Sequence, residues 1–432
     1  MEKPIFVGLL GLGTVGSGVV KIIENHQEKL IHQVGCPVKV KKILVRDVQK
    51  PREVAVDSAL LTTSAADVID DPDIDVIIEV MGGIEETKEL LLRALRQGKH
   101  VVTANKDLMA VYGSELLRVA AEHHCDLFYE ASVAGGIPIL RSLVDGLASD
   151  RITKMMGIVN GTTNYILTKM SQNGASYQEV LAEAQALGFA EADPTSDVEG
   201  LDAARKMAIL ARLGFSMDID LDDVQVKGIT HVTEEDLNYG KRLGYTMKLI
   251  GIAQRNGNKV EVSVQPTFLP DSHPLASVHN EYNAVYVYGE AVGETMFYGP
   301  GAGSLPTATA VVSDLVAVMK NMRLGVNGHY AVAPQYEKQL KAPAEIFSKY
   351  FLRIHVKDQV GAFAKITTLF SERGVSFEKI LQLPLKENGL AEIVIVTHDA
   401  SQQDYEDILQ QLSDLEIVER VQSSYRVEGE KR

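Results

Sequence analysis

A glycine-rich turn near the start of the chain has the spacing of a phosphate-binding loop. Three glycines form a Gly-x-Gly-x-x-Gly pattern between an apolar run at 5–10 and a helix-like segment. Glycines there let the backbone approach a pyrophosphate, and the N–H groups that begin the helix are oriented toward it. Such turns also occur for packing alone, but the flanking strand and helix favour a dinucleotide site. The predicted cofactor contacts are Gly11, Leu12, Gly13, Thr14, Val15 and Gly16.

The end of the second predicted strand carries both kinds of residue that distinguish NAD from NADP. An acidic residue there binds the ribose hydroxyls, whereas an arginine accommodates the 2′-phosphate of NADP. Arg46 favours NADP, and Asp47 directly after it favours NAD. Lys50 and Arg52 lie nearby, so a solvated basic loop explains the segment equally well. Arg46 is the predicted contact, and NADP(H) and NAD(H) both stay open.

A carboxylate and an amine lie four residues apart in the middle of the chain. On a helix, Asp202 and Lys206 share one face, whereas Val198, Leu201 and Ile209 fall toward another. Taken alone, such a pair is most often a surface ion pair. A lysine can instead accept a proton if burial or a neighbouring cation lowers its pKa. The spacing by itself does not separate these interpretations.

The elements around the glycine turn predict an α/β, Rossmann-type, doubly wound parallel sheet. Apolar strands at 5–10, 38–45, 73–81 and 99–104 alternate with helix-like segments. Strands that alternate with helices give a parallel sheet covered by helices on both faces. Lys106 follows the fourth strand, where strand ends face the cofactor crevice.

The rest of the chain predicts two further kinds of structure. After residue 135, amphipathic stretches and strand-like alternation predict an α+β domain, with stretches at 177–188, 196–213, 260–264 and 307–322. The polar segment 334–343 is typical of a linker. The C-terminal part follows the ferredoxin-like βαββαβ order, with strands or helices at 351–356, 361–373, 391–397, 404–412 and 418–427.

Composition limits the partners and the compartment. The balance of 43 Lys+Arg against 58 Asp+Glu gives a formal charge of −15, which disfavours nucleic acid and anionic membrane surfaces. The N-terminal apolar run is too short for a membrane span or a signal peptide. The two cysteines, Cys36 and Cys125, indicate a reducing compartment. We therefore expect a cytoplasmic protein.

Six motifs in a fixed order make the chain similar to the homoserine dehydrogenase family over residues 5 to about 320. Several motifs in one order are more specific than any one alone. Two departures are Phe189, where tyrosine is common, and Glu-Ala-Asp in place of Glu-Pro-Asp. The motifs are GLGTVG, TANK, EASVAGGIP, NGTTNY, GFAEADPTSDVEGLDAARK and GPGAGSLPTA.

The resemblance implies reversible reduction of L-aspartate 4-semialdehyde to L-homoserine with NAD(P)H. Homoserine carries an ammonium group and an alcohol, so its site needs carboxylates and a proton acceptor. By position, Lys206 and Lys106 are the catalytic lysines, and which of them transfers the proton is open. The family pattern also assigns the substrate to Gly188, Glu191 and Asp202, and the nicotinamide side to Lys106 and Gly303.

The same resemblance implies a monovalent cation, Na⁺ or K⁺, in the EASVAGGIP loop. Its ligands are the Glu130 carboxylate and main-chain oxygens of Val133, Gly135 and Ile137. Hard cations prefer such oxygen ligands. A glycine turn that closes the first domain would explain the small residues equally.

The C-terminal unit resembles an ACT domain, a sensor of amino acids. Asp358 and Gly361 occupy its signature turn, where the helix N-terminus can meet a carboxylate. Val360 stands where proline is often found, which leaves the ligand open. We expect L-threonine as a feedback effector, and a dimerisation module without ligand is the alternative.

These expectations give a domain plan and an assembly. We predict an NAD(P)-binding domain at 1–135 with helix 305–322 packed on it, a substrate and dimerisation domain at 136–304, a linker at 323–348 and the ACT domain at 349–428. A homodimer or homotetramer is expected. The alternatives are a catalytically silent amino-acid sensor and an enzyme for another amino-acid-derived carbonyl.

Overall fold

The N-terminal part of the chain forms a parallel sheet. The computed structural model describes residues 3–329, 334–385 and 389–429. The first strands are β1 (Ile5–Leu10), β2 (Val38–Leu44), β3 (Leu61–Thr62), β4 (Val76–Glu79), β5 (His100–Thr103) and β6 (Leu127–Phe128). They pair in parallel in the order β3-β2-β1-β4-β5-β6. This order is that of the dinucleotide-binding fold and confirms the predicted fold class.

Helices connect these strands because each crossover between parallel strands needs a long return. They are α1 (Thr14–Asn25), α2 (Gln27–Val34), α3 (Ala66–Ile69), α4 (Glu85–Arg96) and α5 (Lys106–Glu122), and the short helix α6 (Ile139–Arg141) follows β6. Asn105 begins α5 because its side-chain oxygen accepts the Leu108 N–H at 3.0 Å. The central strands β1, β4 and β5 are largely apolar and buried on both faces, as expected for a covered parallel sheet.

The middle of the chain mixes helices with long antiparallel strands. Its elements are β7 (Ile152–Ile158), α7 (Gly161–Asn173), α8 (Tyr177–Ala186), α9 (Thr195–Val198), α10 (Leu201–Phe215), β8 (Val224–Val226), α11 (Glu234–Arg242), β9 (Tyr245–Asn256), β10 (Lys259–Pro270), β11 (Tyr282–Gly289), β12 (Gly293–Pro300) and α12 (Ser304–Leu324). The long strands β9 and β10 pair antiparallel over their whole length. This mixture agrees with the predicted α+β character.

The amphipathic stretch at 196–213 is two helices and not one. Gly200 separates α9 from α10 because its φ is +81°, a conformation that ends a helix. Val198 therefore belongs to α9, and Leu201 at the start of α10 is 40% exposed. The prediction that Val198, Leu201 and Ile209 share one face of a single helix is therefore wrong. Ile209 is buried, whereas Leu201 is not.

The C-terminal segment folds as predicted from its βαββαβ order. The elements are β13 (Gln339–Leu340), β14 (Phe347–Lys357), α13 (Ala362–Glu372), β15 (Phe377–Pro384), β16 (Leu390–Thr397), β17 (Ala400–Ser401), α14 (Gln402–Ser413) and β18 (Val418–Val427). The antiparallel order β18-β14-β16-β15 covers an apolar core under α13 and α14. β13, inside the predicted linker 334–343, pairs with β10.

The described residues group into two compact units. One contains the described residues of ranges 1–155, 205–223 and 283–338, and the other contains those of ranges 156–204, 224–282 and 339–432. In the first unit α12 packs on α1, and Ser304 donates a hydrogen bond to the Thr14 carbonyl at 2.7 Å. In the second, β10 pairs with β18, so the ferredoxin-like sheet continues the β9–β10 sheet. The domain bounds drawn from the sequence stay a prediction.

Nothing in the described ranges could cross a bilayer as a helix, because none of their helices combines the necessary length and apolarity.

Candidate active site

The glycine turn of the first unit leaves open space where a pyrophosphate would lie. Gly11 has φ of +103°, and a Cβ there would lie 2.9 Å from the backbone of Met81. A Cβ on Gly16 would lie 2.3 Å from the Gly11 carbonyl, so Gly16 brings α1 against the turn. A Cβ on Gly13 would meet no atom within 4 Å. Gly11 and Gly16 thus allow close packing of the backbone, whereas the space beside Gly13 is open to a ligand.

Arginines follow β2, but the one that contacts the glycine turn is not the predicted one. Arg46 and Asp47 are exposed. Arg52 donates hydrogen bonds to the carbonyls of Leu12 at 3.3 Å and Asp47 at 2.5 Å. Its Nε is buried and has no hydrogen-bond partner within the described ranges. Arg52 therefore adds a positive charge at the turn, next to the predicted position of Arg46.

The ends of β4 and β5 are joined by a buried carboxylate. Glu79 is fully buried, accepts the backbone N–H of Met81 and Gly82 at 2.9 Å, and accepts the Thr103 hydroxyl at 2.6 Å. Burial raises its pKa. This contact fixes the end of β5, where Lys106 begins α5. The Lys106 side chain is one-third exposed, and its Nζ lies 3.9 Å from Asp107.

Helix α10 is attached to α5 within the first unit. Arg205 forms an ion pair with Asp107 at 2.9 Å, and Arg212 donates to the carbonyl of Met109 at 3.0 Å. The residues directly before Lys206 and after Lys106 are therefore in contact. Lys206 is half-buried. Because α10 is packed against α5, the Lys206 side chain is partly covered and does not extend fully into bulk solvent.

The N-terminus of α7 holds Asp202 in the second unit. Asp202 is 6% exposed and accepts a hydrogen bond from Asn160 Nδ2 at 2.8 Å. The same Nδ2 donates to Asp197 at 2.7 Å, while Asn160 Oδ1 caps α7 by accepting the Thr163 N–H at 2.9 Å. One amide thus fixes two carboxylates and a helix start. Lys206 follows Asp202 by one turn of α10.

The loop that carries Gly188 and Glu191 is attached to the same helix end. Thr162 donates to the Phe189 carbonyl at 2.6 Å, and the Phe189 ring lies 4.9 Å from the Tyr165 ring. Gly188 has φ of +78°, and both Gly188 and Glu191 are exposed. The start of α7 therefore gathers Asp202 and this loop, the residues predicted to bind substrate.

Comparison with known proteins decides the family. Residues 11–130 match the NAD-binding domain of homoserine dehydrogenase, 138–316 match homoserine dehydrogenase, and 350–417 match the ACT domain. A homoserine dehydrogenase of Bacillus subtilis strain 168 is 73% identical over 428 residues, which cover 99% of each chain. The chain belongs to the homoserine dehydrogenase family.

Solved structures of this family share the fold. A homoserine dehydrogenase from Thiobacillus denitrificans superposes with a TM-score of 0.93 at 39% identity, covering 99% of this chain and 98% of the other. A hyperthermophilic archaeal homoserine dehydrogenase in complex with NADPH superposes with a TM-score of 0.61 at 25% identity, covering 73% of this chain and 98% of that one. As a member of this family, the chain is an NAD(P)-dependent oxidoreductase with an ACT domain.

The four predicted cation ligands of the family loop lie buried between β6 and α6. Val133 and Ile137 are within the apolar core, and Glu130 is 5% exposed. The Glu130 carboxylate accepts the backbone N–H of Leu140 and Arg141 at 2.8 Å each. Burial raises its pKa. Glu130 therefore caps α6, whether or not it binds an ion.

An unpaired oxygen near Gly135 fits a cation at this loop. A Cβ on Gly135 would lie 2.4 Å from the Gly301 carbonyl, and a Cβ on Gly301 would lie 2.1 Å from the Asn283 amide. Asn283 Oδ1 is buried, with no hydrogen-bond partner in the part of the chain that the structure describes. The same described residues contain no cluster of three His, Cys, Asp or Glu side chains suited to a metal. A cation would depend on neutral oxygens and one carboxylate, which suits a monovalent ion.

The last predicted positions lie at helix starts. Gly303 precedes α12 with φ of +121°, and a Cβ there would lie 3.3 Å from Pro306. Gly361 precedes α13 with φ of +85°, and Asp358 beside it is exposed. Val360 is fully exposed, so this ACT turn is open to a ligand or a partner.

Three residues of the site region were not predicted from the sequence. Asn160 had a detectable signal, because asparagine before a helical segment is a common N-cap. Arg52 was noted only as part of a basic loop, and Asn283 had no signal, since the contacts of both residues join distant segments.

Proposed function

We propose that this member of the family interconverts L-aspartate 4-semialdehyde and L-homoserine, with helix α10 at the centre of the reaction. The supporting observation is the Asn160 hydrogen bond that holds the buried Asp202, one helical turn before Lys206. A fixed carboxylate and a half-buried amine on one helix suit a substrate with an ammonium group and an alcohol.

The residues have separate roles in the proposed reaction. Asp202 and Glu191 bind the substrate ammonium group or a bridging water, and Gly188 leaves space beside them. Lys206 accepts the hydroxyl proton when homoserine is oxidised and returns it in the reverse direction. Lys106, at the end of β5, polarises the carbonyl oxygen or shares the proton with Lys206. When bound, the nicotinamide supplies or accepts the hydride.

The cofactor is proposed to lie across the start of α1. The contacts would come from residues 11–16, with Gly303 near the nicotinamide and Arg46 near the adenosine ribose. Arg52 supports NADP(H), because its charge lies at the turn and its Nε lacks an acceptor within the described ranges. Asp47 supports NAD(H). We propose that both are used.

A monovalent cation, Na⁺ or K⁺, is proposed at Glu130, Val133, Gly135 and Ile137, with Asn283 as an added oxygen ligand. Replacing Na⁺ and K⁺ with choline should lower the melting temperature at constant ionic strength, since bound ligands stabilise the folded state. Asn283→Ala should remove that difference. Equal melting temperatures in all three salts would contradict the site.

Regulation and assembly are proposed from the ACT domain. L-Threonine is the proposed effector at Asp358 and Gly361, where an exposed turn meets the start of α13. A homodimer or homotetramer is the proposed assembly. The two free cysteines are buried, which agrees with a reducing, cytoplasmic location.

The deciding experiment is a steady-state assay with L-homoserine and each oxidised cofactor, followed by nicotinamide absorbance. Turnover with NADP⁺ or NAD⁺ is expected. Well-folded protein without turnover with either cofactor would exclude the proposed reaction and favour a silent amino-acid sensor. The ratio of kcat/KM values for the two cofactors also measures the preference between them.

A further inference from the structure

A lysine side chain is enclosed within the second unit, on strand β9. Lys248 is 1% exposed, and its Nζ donates hydrogen bonds to Asn164 Oδ1 at 3.0 Å and to the Val278 carbonyl at 2.5 Å. Both acceptors are oxygens of neutral groups, so these hydrogen bonds take the place of an ion pair. Lysine is almost never fully buried unless it is paired, and methionine would fill a similar volume without burying a polar group. The buried amine therefore indicates a specific role.

The protonation of the Lys248 amine suits its two acceptors. Burial lowers the pKa of Lys248 to about 7, so the neutral amine is well populated at neutral pH. A neutral amine has two N–H groups, one for each of the two oxygens. The amine is therefore buried with its donors satisfied.

The amide of Asn164 connects this amine to helix α7. Its Nδ2 donates to the carbonyls of Val278 at 3.2 Å and Tyr282 at 3.1 Å, whereas its Oδ1 accepts from Lys248. A reversed amide would set its NH2 against the amine and its oxygen against the two carbonyl oxygens, and these hydrogen bonds would all be lost. Asn164 is 1% exposed, so without Lys248 its oxygen would be buried without this donor, which destabilises the arrangement. Lys248 therefore holds the Asn164 amide in one orientation.

The chain segment 278–282 lies on the same end of α7. A Cβ on Gly161 would lie 2.7 Å from the Glu281 carbonyl, so the segment is in close contact with the first residue of the helix. Lys248 donates to the first residue of the segment, and Asn164 donates to its first and last residues. Lys248 thus joins β9, the start of α7 and this segment in one hydrogen-bonded cluster.

The first turn of α7 also holds the predicted substrate residues. Asn164 follows the N-cap Asn160 by one turn, and its backbone N–H donates to the Asn160 carbonyl at 3.3 Å. The Asn160 amide donates to Asp202, and Thr162 between the two asparagines donates to the Phe189 carbonyl. Both contacts are built on a single helical turn, so a displacement of Asn164 reaches both of them.

We propose that Lys248 is a positioning residue of the substrate site, which keeps Asp202 in place by holding the Asn164 amide and with it the first turn of α7. This role rests on the proposed function, in which Asp202 binds the substrate ammonium group. Lys248 itself contacts neither substrate nor cofactor in this role. A lysine that only stabilised the fold would affect the melting temperature, whereas a positioning lysine also affects the affinity for homoserine.

Steady-state kinetics of full-length Lys248→Met tests this role, with L-homoserine and whichever of NADP⁺ and NAD⁺ the wild type prefers. The homoserine KM should rise at least about threefold, the effect of about one net hydrogen bond, while kcat and the cofactor KM change less than about twofold. KM does not depend on the fraction of folded protein, so a poor yield of the variant cannot produce this result. A smaller rise in the homoserine KM would overturn the proposal, whatever the melting temperature.

Lys99→Met is the matched control in the first unit. Lys99 is 6% exposed, and its Nζ donates to the carbonyls of Asp71 at 2.5 Å and Ile74 at 2.7 Å. The variant therefore removes a buried amine from two neutral oxygens, as Lys248→Met does, but directly before β5, at the end of that strand opposite to Lys106. Its homoserine KM should equal that of the wild type. An equal rise in both variants would mean that general destabilisation raises KM, and would refute positioning by Lys248.

A double variant tests the path through α7. In Asn160→Ser the amide donor to Asp202 is already lost, so adding Lys248→Met should raise the homoserine KM by less than about twofold. If the two effects multiply in full, Lys248 does not act through Asn160 and the proposal is wrong. Asn164→Ala replaces Lys248→Met if the latter does not fold, because it removes the amide on which Lys248 acts. Its homoserine KM should rise by a similar factor, and a wild-type value would also exclude this path.

A crystal structure of Lys248→Met, or of Asn164→Ala in its place, gives a readout that does not depend on turnover. The first turn of α7 should be displaced, and the hydrogen bond from Asn160 Nδ2 to Asp202 should lengthen or break. An unchanged hydrogen bond would overturn the proposal. Failure of the proposed function would appear separately, as absent turnover of the wild type with homoserine.

Discussion

Replacing Asn160 should both destabilise the fold and weaken the substrate site. Asn160→Ser keeps an oxygen that can cap α7 but removes the amide donor to Asp202 and Asp197. A buried hydrogen bond to a charged group contributes about 1.5 to 3 kcal/mol. Asp202 is buried and receives that full effect, whereas the half-exposed Asp197 adds at most about 1 kcal/mol. We expect the free energy of unfolding to fall by about 1.5 to 4 kcal/mol.

The variant Asn160→Asp tests charge repulsion with Asp202 and Asp197 in addition to the loss of the amide donor. It places a third carboxylate beside Asp202 and Asp197, so its pKa in the folded state is raised above that in the unfolded chain. A raised pKa contributes stability at low pH that is lost as the pH rises through the folded value. The deficit of Asn160→Asp should therefore widen between about pH 4 and 7, by up to about 1.4 kcal/mol per pH unit. The deficit of Asn160→Ser should change less over that range, because serine adds no titratable group.

Urea unfolding followed by circular dichroism measures these deficits, because the chain has no tryptophan. The homoserine KM of Asn160→Ser should rise about tenfold, the equivalent of about 1.4 kcal/mol, while kcat changes less. Asn160→Ser within about 0.5 kcal/mol of the wild type, with an unchanged KM, would refute a positioning role for this amide.

Three further predictions address the lysines, the glycine turn and a buried amine. Lys206→Ala should lower kcat at least about a thousandfold with unchanged cofactor affinity. If Lys106→Ala lowers kcat more than Lys206→Ala does, Lys106 transfers the proton and Lys206 polarises the carbonyl. Gly13→Ala should keep the wild-type melting temperature but bind cofactor at least about tenfold more weakly. Gly16→Ala should lower the free energy of unfolding by about 1 to 3 kcal/mol. A destabilised Gly13→Ala with normal cofactor affinity, or a Gly16→Ala as stable as the wild type, would contradict the assigned roles. Burial lowers the pKa of Lys248 to about 7. Because this pKa is lower in the folded state than in the unfolded chain, the wild type becomes less stable as the pH falls from about 10 to 7. The stability of Lys248→Met relative to the wild type should therefore rise as the pH falls over that range. A difference in the free energy of urea unfolding that does not change with pH would refute this prediction.

The sequence was sufficient where local pattern and packing agree. Alternating strands and helices predicted the parallel sheet because burial on both faces gives continuous apolar runs. The C-terminal βαββαβ order was correct for the same reason. The stretch at 196–213 was predicted less well, because its apolar spacing continues through Gly200 while the backbone does not.

Contacts between distant segments could not be predicted. Arg52 bonds to a carbonyl forty residues earlier, and Asn283 of β11 contacts Gly301 only because the turn after β12 meets that strand. Asn283 belongs to no local pattern, and the basic loop that contains Arg52 does not indicate this contact. Asp202 shows the opposite case, since its family motif identified it and only its hydrogen bond to Asn160 needed the structure.

The ACT domain is joined to α11 by buried charges and to β10 by strand pairing. Asp236 of α11 is fully buried and pairs with Arg353 at 3.0 Å, while Tyr425 donates to it at 2.8 Å. Breaking one partner of a buried ion pair costs about 3 to 5 kcal/mol, so the ACT strands and α11 must move together. Helix α11 packs against α7, whose first turn holds Asp202 through Asn160. If an effector shifts the ACT strands, the proposed substrate-binding residue Asp202 would be reached through these packed helices.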